Sequence, residues 1–317
     1  AGVGMIPFAK PGASAPYDEM GEVAIRLALD DAGIAFEDVQ QAYASYVYGD
    51  STSGQRVIYR VGMTGIPIIN VNNNCSSGST ALFLARQAVE SGVAECVLAV
   101  GFEQMAPGAL GVVFPDRPSP LAEFDAATDR LIGDVDLPMT LRYFGGAGKA
   151  HMERFGTKME TFAKIRAKAS RHAANNPLSV FRKEMTTQDV MGAQVIWPGV
   201  MTRPMACPPT CGAAAALVVS KGFAEKMGLD TTVQIRAQAM TTDKLLDPET
   251  GDMIEVVGAR LSRDAARMVY EKAGVGPDDI DVIELHDCFA QNELISYEAL
   301  GLCAESDGEK LVDDGDN

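Results

Sequence analysis

The chain contains no apolar run near the roughly 18 residues that a membrane-spanning helix requires. No cationic stretch followed by an apolar one opens it, and a soluble protein is expected. Cysteine is sparse and scattered. The six residues at 75, 96, 207, 211, 288 and 303 form no CxxC of the kind that grips zinc, and a chain of 317 residues needs no disulfide staples. No metal site is expected. Reduced thiols in an intracellular compartment follow, with a bacterial cytoplasm preferred to a peroxisome because nothing in the sequence requires import. Histidine is limited to three residues. Positive charge is short as well: 27 Lys and Arg against 43 Asp and Glu leave a net charge of −16, a field that repels nucleic acid and acidic membrane alike.

What is present is a core-forming composition, 47% hydrophobic, in a chain long enough for two related domains or one large α/β domain. The cations are concentrated. Lys149, Arg154, Lys158, Lys164, Arg166, Lys168, Arg171, Arg182 and Lys183 lie in one segment with only Glu153 and Glu160, giving that segment +7 and leaving −23 for the rest. Charge alone leaves two readings open, an anion-binding surface or a solvated basic helix face.

Periodicity predicts an amphipathic helix over 18–33 stopped by Gly33. A strand within 38–48, a short helix near 54–63, a strand at 66–71, a helix after Cys75 and a strand at 95–102 follow. Alternating β and α elements favour a sheet covered by helices on both faces. From 104 to about 205 the alternation breaks, and this stretch reads as an inserted loop domain. The run CGAAAALVVS (211–220) then returns to a buried strand whose small residues permit close packing.

A second copy of the opening pattern follows. Residues 28–47 align with 269–288 at an offset of 241, pairing Ala32-Gly33 with Ala273-Gly274, Asp38 with Asp279 and Val39 with Ile280. Such self-similarity indicates a duplicated half. At the same offset Cys75 corresponds to position 316, so the second copy stops as it reaches its own strand-turn-helix. The chain is expected to be a fragment at both ends, mostly at the C-terminus.

Two strand-to-helix turns carry reactive side chains. In GIPIINVNNNCSSGSTALFLARQAV, Cys75 sits at a predicted helix start, where free N–H groups and the helix dipole favour thiolate, the nucleophilic form. In IDVIELHDCFAQNELISYEALG, His286 and Cys288 end a second apolar strand, and their spacing of two turns both side chains to one face. The plainer readings are an inert helix-start cysteine, a hydrogen-bonded strand-end histidine and a small core residue. His151 and His172 read as surface or packing residues. Cys96, Cys207, Cys211 and Cys303 read as structural.

The segments NVNNNCSSGSTALFLARQAVESGVAECVLAVGFEQM, FGGAGKAHMERFGTKM, PPTCGAAAALVVS and ELHDCFAQNELISYEALGLC together resemble the thiolases. Within them, the HDCF tetrapeptide resembles the branch that contains the thiolase domain of sterol carrier protein X, also called lipid-transfer-protein-type, with its bacterial relatives. Other thiolases carry Asn-Glu-Ala-Phe there. The resemblance implies an α/β fold, a duplicated αβαβα layered architecture with an inserted loop domain and an incomplete second half. Residues 1–104 and 206–225 would form the N-terminal half, 105–205 the CoA-binding loop domain, and 226–317 the truncated C-terminal half.

The resemblance implies thiolytic cleavage of 3-oxoacyl-CoA in fatty-acid β-oxidation or the reverse condensation, including branched or sterol-derived chains. Cys75 would be the nucleophile, with Ser77 completing a CxS motif. His286 would donate to the thioester oxygen, and Cys288 would move the enolate proton. Coenzyme A is a co-substrate, and no permanently bound cofactor is implied. Lys149, Arg154, Lys168 and Arg171 become candidates for its phosphates. Gly-rich pieces at 145–148 and 108–110 would let backbone approach the ligand. A homodimer or homotetramer is implied, with a small accessory lipid- or acyl-CoA-binding protein as a further partner. The family also carries a Gly-His-Pro motif and a glycine-rich oxyanion loop downstream of the point where this sequence ends, so no residue here is given those roles. Two alternatives stay open: a thiolase-like aldolase acting with a partner, against which Cys75 counts, and a non-catalytic acyl-CoA- or lipid-binding subunit.

Overall fold

The computed structural model describes residues 1–108, 110–315 and 317. In chain order the strands are β1 (Gly2–Met5), β2 (Gln41–Ser45), β3 (Ile68–Val71), β4 (Cys96–Glu103), β5 (Val195–Trp197), β6 (Met201–Thr202) and β7 (Gly212–Val219). The helices are α1 (Tyr17–Ala32), α2 (Ser53–Val61), α3 (Ser77–Glu90), α4 (Ala122–Ile132), α5 (Met139–Phe155), α6 (Met159–Ala174), α7 (Thr187–Met191), α8 (Lys221–Met227), α9 (Met253–Val256), α10 (Ala259–Ala273), α11 (Ala290–Ala299) and α12 (Gly308–Asp314). The chain divides into two compact units, one of residues 1–109, 177–180 and 209–238, the other of 110–176, 181–208 and 239–317.

The first unit is built on a mixed sheet of order β1-β7-β4-β2-β3, with β2 parallel to β3 and β4, and β7 antiparallel to β1 and β4. Alternation along β4 explains its two coats. Leu98, Val100 and Phe102 join α1 and α2 in one core, while Val97 and Ala99 join Ala81, Ala85 and Ala88 of α3 in another. Both faces are thus covered, as the alternating pattern predicts. Small residues set the spacing: a Cβ on Gly2 or Gly4 would lie 2.3 Å from Ala28 O or 2.2 Å from Ala24 O, so α1 rests directly on the β1 backbone. At Gly33 the chain enters the left-handed region, φ 68°, and α1 stops there.

The second unit is mainly helical, and α11 supplies its buried centre through Ala290, Leu294, Ile295 and Tyr297. Its neighbours include α5, α6, α10 and α12. The glycines of the 145–148 piece are buried within α5, where added Cβ atoms would strike Trp197 at 2.8 Å, Met253 at 3.0 Å and Gln291 at 2.3 Å. Protein side chains, rather than a ligand, occupy the close approach these glycines permit. In the 108–110 piece, Ala109 lies outside the described residues, as does position 316.

The second copy departs from expectation at its strand. Residues 282–287 form no strand and pair with none among the described residues, and Val282 is 80% exposed. A strand is completed by its neighbours' hydrogen bonds, and this segment has no ladder among the described residues, although Leu285 packs in part against the second unit's core. The helix expected after Cys288 does form, as α11.

Candidate active site

Cys75 is exposed in the turn between β3 and α3. The three asparagines before it build that turn. Asn74 adopts φ 49°, a left-handed conformation that asparagine tolerates better than most residues, and this reverses the chain just ahead of the cysteine. Asn72 Oδ1 accepts from Asn74 N at 3.2 Å. Ser77 Oγ accepts from Asn73 N at 2.8 Å and donates to Asn74 O at 2.6 Å, while Asn73 Nδ2 donates to Thr80 Oγ1 at 3.0 Å. The Ser of the CxS pattern is therefore a brace that locks the turn onto the first turn of α3.

The thiol's electrostatics differ from the thiolate-favouring helix start expected. Surrounding protein and the Glu103 carboxylate push the Cys75 thiol above its ordinary value, outweighing the favourable backbone N–H of Cys75 itself. The reason is position: α3 begins two residues later, at Ser77, and dipole effects fade outside the first turn.

Glu103, at the end of β4, was not singled out by the sequence reading, nor was Tyr48. The Glu103 carboxylate accepts from Val47 N at 2.8 Å and Tyr48 N at 3.2 Å. Burial pushes Glu103 up while those backbone donors pull it down. Tyr48 is raised by burial, by Glu103 and by Cys75, so the three groups feel one another's charge. The available signal was the location of Glu103 at the carboxyl end of a strand, where open α/β sheets place their ligand sites.

In the second unit, Cys288 is buried, and its carbonyl accepts from Cys207 N at 2.8 Å beside an Ala206–Phe289 bridge. Phe289 stacks on Phe144 with centroids 4.8 Å apart. The carbonyl of His286 accepts from Asn292 Nδ2 at 2.7 Å, which ties the 282–287 segment to α11. Although the His286 ring reaches solvent, desolvation by nearby protein holds it below the ordinary imidazole range, opposed by Asp287. It is thus disposed to act as a neutral hydrogen-bond donor.

The four basic candidates are differently engaged. Lys149 pairs with Glu153 one turn along α5. Arg154 pairs with Asp252 at 3.3 Å and Glu305 at 3.2 Å. Lys168, largely buried, pairs with Glu293 and donates to Tyr297 Oη at 2.8 Å. Arg171, one turn further along α6, is exposed. Lys158 and Lys164 meet Glu309 and Asp313 at 3.5 and 2.7 Å. Much of the basic segment's charge is therefore met by carboxylates of its own unit. Two surface depressions of that unit, around Lys244 and Arg260 and around Thr157 and Lys310, are lined by neither His286 nor Cys288.

The remaining histidines and thiols separate cleanly. His151 is buried, bonded to Thr157 Oγ1 at 2.8 Å and Glu298 Oε1 at 3.1 Å, and His172 is exposed. Burial pushes the Cys96 thiol up to about 12 and Cys303 up to about 11, chemically silent values. Cys211 is buried as expected, whereas Cys207 is exposed. Among the described residues, no group of three His, Cys, Asp or Glu is placed to hold a metal ion, and no helix is long and apolar enough to cross a membrane.

Comparison with known proteins decides the family. Residues 2–197 match the thiolase N-terminal domain and residues 247–317 the thiolase C-terminal domain-like family. The chain is a member of the thiolase family. Human sterol carrier protein 2 is 52% identical over 323 residues, covering all of this chain and 58% of the human protein. The chain thus spans under two thirds of that relative. Non-specific lipid-transfer protein-like 2 of Caenorhabditis elegans is 41% identical over all of this chain and 78% of its own length. Among solved structures, the Ltp2-ChsH2(DUF35) aldolase superposes with a TM-score of 0.80 at 22% identity, covering 99% of this chain and 79% of that one. This last likeness shows a shared fold along the chain, and with the two family matches the fold is α/β and thiolase-like.

Proposed function

We propose that this thiolase-family chain cleaves a 3-oxoacyl-CoA with free CoA, or runs the reverse condensation, through an acyl-Cys75 intermediate. The Cys75 thiolate attacks the 3-oxo carbon and the C2–C3 bond breaks, its electron pair passing into the enolate of the departing acetyl- or propionyl-CoA. His286 donates to the thioester oxygen as negative charge gathers there, a contribution on the order of 3 kcal/mol for one preorganised donor. Cys288 delivers the proton that quenches the enolate. The thiol of free CoA then takes the acyl group, its proton passing to Cys288, and Cys75 is released as the thiolate that began the cycle. The observation carrying this reading is the braced turn that presents an exposed thiol just ahead of α3.

For CoA's phosphates, Arg171 and the outward Arg154 and Lys149 remain the proposed contacts, the last two by leaving their carboxylates. Lys168 is the poorest of the four because Glu293 and Tyr297 enclose it. The names of the sterol-carrier and lipid-transfer relatives support branched or sterol-derived acyl chains. A homo-oligomer is part of the same proposal. The test follows the enolate absorbance of a 3-oxoacyl-CoA after adding CoA. Cys75→Ala should lower the rate by at least about a thousandfold. An unchanged rate removes Cys75 as nucleophile, and no cleavage by the unaltered protein favours an acyl-CoA-binding subunit.

A further inference from the structure

Glu103 is connected to the cysteine's turn by an unbroken series of hydrogen bonds within the first unit. Its carboxylate accepts from Val47 N at 2.8 Å and from Tyr48 N at 3.2 Å. The carbonyl of Val47 accepts from Asn72 Nδ2 at 3.4 Å, and Asn72 Oδ1 accepts from Asn74 N at 3.2 Å, one residue before Cys75. We propose that Glu103 is a positioning residue for Cys75: it fixes the loop that anchors the cysteine's turn, and its negative charge adds to the surrounding protein in working against the thiolate.

This deepens the reading of Cys75 as nucleophile and rests on it. The ionisable groups around that sulfur are Glu103 from the end of β4 and Tyr48 from the loop after β2, while the first turn of α3 contributes only Ser77, Gly78, Ser79 and Thr80. Tyr48 is itself raised and stays neutral near pH 7. Among the described residues of the first unit, Glu103 is the charge found to act on the thiolate, adding to the larger effect of the surrounding protein. Its carboxylate disfavours the thiolate, and the same side chain keeps the turn in place.

The test is the pH profile of Cys75 alkylation by iodoacetamide, read at the Cys75 peptide by mass spectrometry, for the unaltered protein, Glu103→Gln and Glu103→Asp. Glu103→Gln should move the midpoint to lower pH and speed alkylation at pH 7 by about threefold, while Glu103→Asp follows the unaltered protein. Equal profiles for all three, or both variants moving together, would overturn the charge role. Should Glu103→Gln fail to fold, Asn72→Ala carries the test, because it cuts the hydrogen-bond series between Val47 and Asn74 and should change the limiting alkylation rate at high pH by at least about twofold. An unchanged limiting rate would contradict the proposal. These outcomes are separable from the catalytic reading, since alkylation reports the thiol whether or not the chain cleaves an acyl-CoA.

Discussion

Residues 28–47 and 269–288 follow the same local path and then part. Gly33 and Gly274 both take left-handed backbone, φ 68° and 70°, to end α1 and α10. Three residues later each chain makes a single 3-10 turn, Phe36–Asp38 or Pro277–Asp279. Each turn is closed by an aspartate that accepts a backbone N–H, Ala35 N to Asp38 Oδ2 at 3.1 Å and Gly276 N to Asp279 Oδ2 at 2.8 Å. Beyond that point β2 lies between β3 and β4 with Ala42 and Ala44 fully buried. Residues 282–287 carry no strand ladder among the described residues. Caps and turns are closed by residues three or four apart, so a short sequence carries them wherever it stands. A strand is completed only by what lies beside it.

The largest test of this contrast places a charge in each copy. Ala44→Asp puts a carboxylate where a neighbouring Gly54 Cβ would already lie 2.4 Å from the Ala44 side chain, and should cost about 3–5 kcal/mol in denaturant unfolding. Leu285→Asp, at the equivalent place in the second copy and only half-buried, should cost less, about 1–2 kcal/mol. Equal losses would mean that 282–287 is as enclosed as β2. A smaller effect sharpens the likeness: Gly33→Ala and Gly274→Ala each force a Cβ into left-handed backbone and should each cost about 1 kcal/mol. A loss at one site only would break the equivalence of the two helix stops.

The smallest effect is in pH. The folded value of His286 lies below its ordinary one, so the folded state resists protonation there. Its contribution to stability is complete above about pH 6.5 and is lost as pH falls through the lowered folded value. Comparing His286→Asn with the unaltered protein at pH 7.5 and 5.5 should show the variant losing slightly less stability on acidification. A greater loss in the variant would reverse the sign assigned to that site.

The same division between local and distant causes explains what could be read in advance. The alternation through β4, the stop at Gly33 and the buried Ala run of β7 were legible because each is written in residue spacing. So was Cys75 at a strand-to-helix turn. Glu103 was not, since it stands 28 residues from Cys75 in sequence and is joined to it through Val47, Tyr48 and Asn72. The raised Cys75 thiol was missed for a related reason. The helix start was legible, but Cys75 lies just outside the first turn of α3, and desolvation by surrounding protein and a carboxylate from another strand raise its thiol. Basic residues read as phosphate contacts proved to face Glu153, Asp252, Glu293 and Glu305, partners that charge counting along a segment cannot assign.

The most direct test of the account mixes the unaltered protein with a 3-oxoacyl-CoA in the absence of free CoA, quenches in acid and maps added mass by peptide. The account predicts an acyl group, shortened by the two-carbon or three-carbon unit released, on the peptide containing Cys75 and on no other. Acylation at Cys288 or another thiol, or cleavage that leaves Cys75 unmodified, would contradict it.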